Sequence, residues 1–303
     1  MPRPAPLPTA LASAPFLVGD AAALGIRRGR LRASDLSSPF YGVRTVGVHS
    51  DVRSLALAFA VRMGPDQYFS HTTAAMLLGL RMPAGFRETA LHVTSVAPTR
   101  APRASGVVGH QVGARERLIV LADGLQVSSP LATWRRLGAS LTVDELIALG
   151  DGLVCRRQPL ADLAELRDEA REAMGQRGAR ALQRAAEQAR AGSDSERETA
   201  LRLLVVRAGF PEPEVNGEIH NEFGALIARG DLVFREFRTV LEYDGGQHRE
   251  DERQYHIDID RLDAIVEAGW RVIRVNKNLM VRRATLLAKV DRALRQNGWT
   301  GTA

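Results

Sequence analysis

Cysteine and lysine are nearly absent from this 303-residue sequence, which has one cysteine, Cys155, and two lysines, Lys277 and Lys289. A single cysteine excludes an internal disulfide and any zinc site built from several cysteines. It fits a reducing compartment, so we expect a cytoplasmic protein.

Long hydrophobic runs are also lacking. No stretch approaches the ~18 consecutive apolar residues of a transmembrane helix, so we expect no membrane partner. Prolines interrupt residues 1–15, which predicts a disordered lead-in and not a signal peptide. The composition, 45% hydrophobic and 25% charged, is typical of a globular chain. The length fits about two domains of roughly 150 residues each.

The basic residues are almost all arginine, 39 in total, and the net charge is +6. Arginine matches phosphate oxygens bidentately, and a basic surface attracts nucleic acid whatever its sequence. A genome rich in G and C also favours arginine codons. Both interpretations stay open at this point.

Residues 16–48 predict a winged helix-turn-helix: a helix ending at Gly25, a basic segment with a second helix, and a short strand pair. The segment would approach DNA, and its candidate phosphate-binding residues are Arg27, Arg28, Arg30 and Arg32. A solvated helix in an arginine-rich protein would have the same sequence.

Residues 49–155 predict a mixed α/β region, and residues 156–192, rich in helix-forming residues, predict a helical connector. We find no catalytic constellation in either. His71, His92 and His110 do not have the spacing of metal ligands, and we interpret each as a structural or surface histidine.

Residues 193–303 predict an α/β domain around a mixed sheet, and an acidic cluster lies on two of its strands. Glu242 and Asp244 are two apart on one strand, so they project from the same face. A tight turn at Glu236-Phe237 would place Asp231 opposite Glu242, with Cβ atoms about 4.5–5.5 Å apart. Like charges so placed need a counterion, and hard oxygen ligands favour Mg²⁺ or Mn²⁺. A one-residue slip in register would remove this site.

The residues that follow, Gly245-Gly246-Gln247-His248, let the backbone approach a ligand and place an imidazole after the acidic strand. His248 could take a proton from an attacking water or give one to a leaving oxygen. Alone this segment is also typical of a polar turn. Beside the three carboxylates it predicts a site.

The C-terminal region resembles the endonuclease-like domains related to the very-short-patch-repair (Vsr-like) nucleases of the PD-(D/E)XK superfamily. The resemblance covers about 110 residues. Its motifs are Asp231, Glu242-x-Asp244-Gly, His248, Asp260-Arg261 and Gly269-Trp270 within SERETALRLLVVRAGFPEPEVN, RGDLVFREFRTVLEYDGGQHR and DIDRLDAIVEAGWRVIRVN.

The resemblance implies a restriction-endonuclease-like α/β sandwich in which Asp231 and Glu242 bind the metal. It also implies that Glu198, on the first helix of the domain, helps to hold the metal, and that His248 acts as general acid or base near the scissile phosphate. Glu198 has a second interpretation, because Ser195-x-x-Glu198 is also a capping box.

The sequence departs from the superfamily pattern at one position. Asp244 stands where the family usually has a lysine, so we expect it to ligate the metal or orient the water. Two residues are candidates to replace the family lysine: Lys277, which lies nearby in the sequence, and His248. Asp260 and Arg261 would orient His248 or bind phosphate, or they belong to an exposed helix face.

The front of the chain resembles the AbiEi-type antitoxins of type IV toxin–antitoxin systems, through FLVGDAAALGIRRGRLR, FYGVR, SHTTAAMLLGLRMP and LHVTSVAP. That resemblance implies an N-terminal winged helix with a mixed α/β body and DNA binding around residues 27–32. It leaves open whether a toxin partner exists.

The sequence therefore predicts a metal-dependent DNA endonuclease with an N-terminal DNA-binding region. The alternative is an antitoxin-like transcriptional regulator whose nuclease-like domain binds DNA without cutting it. A third interpretation is a protein-binding module on the same fold. Cleavage separates the first from the second, and salt-sensitive DNA binding separates the second from the third.

Overall fold

The structure, a computed structural model, describes residues 4–47, 50–244 and 261–302. The chain forms two compact units. The first consists of residues 1–141 and 169–182, and the second consists of residues 142–168 and 183–303. Both units mix helices and strands, which confirms the mixed α/β class. No described helix has the length and apolar character needed to cross a membrane.

The N-terminal part of the first unit is a three-stranded antiparallel sheet with two short helices. Its elements are α1 (Thr9–Ala12), β1 (Phe16–Leu17), α2 (Val18–Ala23), β2 (Leu36–Ser37) and β3 (Val43–Val46), with strand order β1-β3-β2. Leu11 of α1 is buried with Phe16, Ala21 and Leu31, so the lead-in predicted as disordered contains an ordered helix.

The prediction of a second, basic helix in the winged helix-turn-helix is wrong, because the described residues 4–47 contain no α-helix in the basic segment. Only one 3₁₀ turn, Arg30–Arg32, forms there. Leu31 is the one residue of that turn that is buried, and Gly29 precedes it. A helix in water depends on burying an apolar face, and one buried side chain does not supply such a face.

Residues 50–141 of the first unit form a five-stranded mixed sheet with helices, in the strand order β6-β5-β4-β8-β7. The strands are β4 (Gln67–Phe69), β5 (Leu91–Val96), β6 (Val107–Val112), β7 (Leu118–Val120) and β8 (Gln126–Ser128). The helices are α3 (Val52–Ala60), α4 (His71–Leu77) and α5 (Pro130–Leu137). Ser129 caps α5 through a bond to the Ala132 amide, as its Ser-Pro start predicts.

Three helices follow, α6 (Val143–Leu153), α7 (Leu163–Glu172) and α8 (Ala179–Gln188). Helix α6 begins with the predicted capping box of Thr142 and Glu145. Residues 142–155, which the sequence grouped with the preceding region, lie in the second unit. Helices α7 and α8 form within the predicted connector.

A four-stranded mixed sheet, in the order β12-β11-β10-β9, forms the centre of the second unit. Its strands are β9 (Glu214–His220), β10 (Leu226–Phe234), β11 (Thr239–Asp244) and β12 (Arg271–Asn276). The helices are α9 (Glu196–Arg207), α10 (residues 261–267), α11 (Lys277–Val281) and α12 (Arg283–Gln296).

Two apolar cores cover the two faces of this sheet. Helices α9 and α12 pack on one face through Leu201 and Val290, against Leu241 of β11. Ile265 of α10 packs on the other face, against Val240. Successive residues of β11 therefore enter different cores, as the period-two pattern of a strand requires.

Candidate functional site

The β10–β11 hairpin has the register that the sequence predicts. Leu232 pairs with Leu241 and Val233 with Val240, so the next positions outward, Asp231 and Glu242, face each other. The turn between the strands contains Arg238 in the left-handed region, with φ of 39°. The predicted juxtaposition of the two carboxylates is confirmed.

Asp231 is a half-buried acid beside two buried acids, Glu198 and Glu242. The backbone N–H of Tyr243 donates to its Oδ2 over 2.6 Å. Burial, and then the charges of Glu242 and Glu198, raise the pKa of Asp231 to about 8. Without a cation, the shift favours a proton shared by the pair of Asp231 and Glu242.

Glu242 has one oxygen paired and one oxygen unpaired. Arg261 donates from Nη2 to its Oε2 over 2.8 Å. Its Oε1 is buried and has no hydrogen-bond partner in the part of the chain that the structure describes, and the side chain is only 10% exposed. Burial raises the pKa of Glu242, while Arg261 opposes that rise. An unpaired buried acceptor is costly, and a bound cation would satisfy it.

Glu198 serves as a cap in this structure. Its own backbone N–H donates to the Ser195 hydroxyl oxygen over 3.2 Å, which is the helix-capping bond of α9. The Glu198 carboxylate accepts from the Ser195 hydroxyl at 2.9 Å, from the Asp194 amide at 2.8 Å and from Asn216 Nδ2 at 3.0 Å. Its charge still reaches the acidic pair, because it contributes to the raised pKa of Asp231. Both sequence interpretations of Glu198 are therefore compatible with its position.

Asp244 lies at the end of β11, on the same side as Glu242. Arg274 of the neighbouring strand donates from Nη2 to Asp244 Oδ2 over 2.9 Å. Lys277, the proposed substitute for the family lysine, is the first residue of α11 and not part of a loop. His248 and Asp260 lie outside the described residues.

The three predicted metal ligands do not converge as a group of three. Among the described residues, Glu198, Asp231 and Glu242 do not bring one carboxylate oxygen each within 4.8 Å of one another. The pair Asp231 and Glu242 nonetheless fits a hard divalent cation, because it offers oxygen donors with one buried, unpaired Glu242 oxygen. Glu198 would assist from its capped position.

The four N-terminal arginines differ in their surroundings. Arg27, Arg28 and Arg32 are exposed. Arg30 has a side chain only 12% exposed and forms a bidentate ion pair with Asp35, at 2.9 and 2.7 Å. Arg30 therefore stabilises the fold of this segment and is poorly placed to bind phosphate.

The first unit contains a histidine cluster that the sequence did not predict. His71, His92 and His110 place one ring nitrogen each within 4.8 Å of one another. They come from the start of α4, from β5 and from β6. His92 and His110 come together only because β5 pairs in parallel with β6, which places Thr94 beside His110. Their linear spacing gave no sign of it.

Comparison with known proteins identifies relatives without a known activity. The chain is 24% identical over 236 residues to the uncharacterized protein Rv2248 of Mycobacterium tuberculosis strain H37Rv, an alignment covering 78% of this chain and 83% of that protein. The uncharacterized protein MT2308 of strain CDC 1551 shows the same identity and coverage. No family model matches the chain. No solved structure matches it either.

Proposed function

We propose that the C-terminal unit is a DNA endonuclease that hydrolyses phosphodiester bonds with Mg²⁺ or Mn²⁺. The observation that carries the proposal is the pair of half-buried Asp231 and buried Glu242 on adjacent antiparallel strands, with one Glu242 oxygen unpaired among the described residues. Like charges in such a position are destabilising without a neutralising partner. The restriction-endonuclease-like sandwich implied by the sequence resemblance supports the same function.

Each acidic residue has a distinct role in this proposal. Asp231 and Glu242 hold the cation, and Glu198 supports them through its charge. A cation bound there would polarise a phosphoryl oxygen and acidify an attacking water. Asp244 orients that water. His248 gives or takes the proton at the scissile phosphate, as the resemblance implies.

The N-terminal region supplies DNA affinity in this proposal, as its resemblance to AbiEi-type antitoxins implies. The exposed Arg27, Arg28 and Arg32 would neutralise backbone phosphates. Replacing Arg27 and Arg28 by alanine should lower the slope of log K against log salt by about 2, because each phosphate contact contributes about 0.9. Replacing Arg30 should instead lower stability, because its guanidinium is paired with Asp35.

A specific observation also favours a second candidate, an antitoxin-like regulator that binds DNA and does not cut it. Arg261 already neutralises Glu242, and Arg274 is paired with Asp244 at the position of the family lysine. The acidic strand thus carries internal counterions. In this candidate the front of the chain retains DNA binding and a toxin partner.

Nicking of supercoiled plasmid by the full chain tests the proposal. Wild type should cut in Mg²⁺ or Mn²⁺ and not in EDTA, whereas Asp231→Asn and Glu242→Gln should lose activity. Glu218→Gln is the matched control, because Glu218 is a half-exposed glutamate on the same sheet, paired with Arg229. It should cut like wild type.

DNA binding measured beside cleavage separates the two candidates. No cutting in any metal, with salt-sensitive binding intact, would replace the nuclease with the regulator. A rise in thermal stability with millimolar Mn²⁺ that is lost in Asp231→Asn would locate the cation at the acidic pair, because a ligand of the folded state stabilises it.

A further inference from the structure

The three histidines of the first unit form a compact cluster with no role in the proposed nuclease. His92 Nδ1 and His110 Nε2 are 3.0 Å apart. The rings of His71 and His110 stack with centroids 3.9 Å apart, and the centroids of His71 and His92 are 5.4 Å apart. All three side chains are half-buried, so solvent reaches them.

We propose that His71, His92 and His110 form a Zn²⁺ site with three imidazole ligands and a fourth position open to water or to an exogenous ligand. Three neutral nitrogen donors with one open position are a typical ligand set for zinc outside structural cysteine sites. The site is independent of the acidic pair, which lies in the other unit and offers oxygen donors.

Hydrogen bonds assign the ligand atom of each ring. The Nδ1 of His71 is 2.9 Å from the Ser70 hydroxyl, which leaves Nε2 of His71 for the metal. The other two ligands are the two nitrogens that already face each other, Nδ1 of His92 and Nε2 of His110. Tetrahedral zinc with Zn–N distances of about 2.0–2.1 Å separates its nitrogen ligands by about 3.3 Å. The observed cluster is close to that size.

A supporting shell is present around two of the ligands. Glu88 Oε2 is 3.6 Å from Nε2 of His92, and this buried ring nitrogen has no hydrogen-bond partner among the described residues. A carboxylate behind a ligating histidine fixes its tautomer and increases its basicity. Ser70 also contacts the buried Thr94 hydroxyl at 2.7 Å, which holds the group that orients His71.

The backbone holds His71 in an uncommon conformation. Its φ is 50°, in the left-handed region, where histidine, asparagine and aspartate are the non-glycine residues seen most often. Such strained positions cluster at functional sites. The backbone N–H of His92 also donates to Thr73 Oγ1 over 2.7 Å, which ties β5 to α4 beside the cluster.

Burial lowers the pKa of all three rings, which favours the neutral imidazole that metal ligation requires. Burial lowers the pKa of His71 to about 3, with the charges of His110, His92 and Arg136 as further causes. Burial likewise lowers the pKa of His110 to about 4. Arg136 adds little net charge, because its Nε donates to Glu116 over 2.7 Å. Imidazole donors favour zinc over magnesium, which prefers oxygen.

Zinc titration of the full chain against a chromophoric chelator, after EDTA treatment and dialysis, tests the site. Wild type should bind one Zn²⁺ per chain with a submicromolar Kd, and millimolar Mg²⁺ should not displace it. His92→Asn and His110→Gln should weaken binding by more than the ~100-fold that loss of a supporting residue can cost. Glu88→Gln should weaken it by about 10-fold.

Two controls cover three of the four histidines outside the cluster, all except His49. His220→Gln removes a histidine of the second unit whose side chain is 36% exposed, and it should bind zinc like wild type. The double variant His248→Gln/His256→Gln covers residues outside the described part of the chain and should also keep the site. Wild type without tight zinc binding, or equal binding by His110→Gln, would overturn the proposal.

Cobalt substitution decides the geometry even if a histidine variant misfolds. Wild type with one Co²⁺ per chain should show the intense visible bands of a four- or five-coordinate site. Weak bands typical of octahedral Co²⁺ would refute the three-histidine site. Asp231→Asn should leave the cobalt spectrum unchanged, which also distinguishes this site from the acidic pair.

Discussion

A buried ion pair fixes the helix that carries Glu198. Arg202 of α9 and Asp151 of α6 are 1% and 0% exposed, and Arg202 Nη2 lies 3.1 Å from Asp151 Oδ2. Asp151 also accepts from the Arg190 amide at 2.7 Å and from the Thr199 hydroxyl at 2.8 Å. Burial raises the pKa of Asp151, and Arg202 is the first of the causes that oppose this rise.

Replacing Arg202 by methionine keeps much of the buried volume and removes the only charge that compensates Asp151 within this network. Breaking a buried ion pair from one side costs about 3–5 kcal/mol, because the remaining charge stays buried. For a unit of about 150 residues, 1 kcal/mol shifts Tm by about 2–4 °C. We therefore expect Arg202→Met to lower Tm by about 6–20 °C in calorimetry.

Arg207→Met on the same helix is the matched control. Arg207 is paired with Asp144, and their side chains are 43% and 57% exposed, so the loss should stay within about 1 kcal/mol. The double variant Asp151→Asn/Arg202→Met removes both charges and keeps an acceptor for the Arg190 amide. It should regain most of the stability. An Arg202→Met loss no larger than that of Arg207→Met would refute the reasoning.

Three further predictions concern titration and packing. The folded-state pKa of Asp231 is about 8, against an ordinary value of 3.8, so the folded state holds an extra proton between these pH values. The free energy of unfolding should therefore fall as pH rises from about 4 towards 8. Urea titrations of Asp231→Asn should lack this part of the pH dependence. The pKa of His71 is about 3 against 6.5, so stability should fall as pH drops below 6.5, and His71→Asn should remove that part of the loss. Gly230→Ala would place a Cβ 2.2 Å from Val240 Cγ2, and it should lower the free energy of unfolding by about 1–3 kcal/mol. Gly113→Ala is the control in the same unfolding assay: its Cβ would meet nothing within 4 Å, so its stability should be nearly that of wild type.

The acidic pair could be predicted from sequence because it depends on a local hairpin. The strands β10 and β11 are antiparallel and joined by four residues, Arg235 to Arg238. A short turn fixes which residues face each other. The carboxylates of Asp231 and Glu242 therefore follow from the position of the turn and from the alternation of apolar side chains with acidic ones.

The histidine cluster could not be predicted in that way because it depends on a parallel pair. Strands β5 and β6 are joined by residues 97–106, and parallel pairing leaves the register to tertiary packing. His92 and Thr94 share one face of β5, and Thr94 pairs with His110. Shifting that register by one residue would turn His110 to the opposite face.

The N-terminal arginines show a different limit of sequence analysis. Clustered arginines predict a basic surface, but the sequence does not separate a phosphate-binding guanidinium from one paired within the fold. Asp35, five residues after Arg30, is the partner that decides the difference. The sequence does contain a signal for this ion pair, because Arg30 and Asp35 lie only five residues apart in a compact segment. The absent second helix follows from the same segment, whose single buried side chain is Leu31.

The two candidate sites differ in donor chemistry, and this difference makes them separable by experiment. Asp231 and Glu242 offer hard oxygen donors, which suit Mg²⁺ or Mn²⁺ at millimolar concentration. His92 and His110 offer imidazole nitrogens, which bind zinc far more tightly than magnesium. Because the sites lie in different units and share no residues, the effects of Glu242→Gln and His110→Gln on metal binding should add independently. If zinc removal alone abolished a Mg²⁺-dependent cleavage, the histidine site would be part of the DNA-acting machinery and not only a stabilising centre.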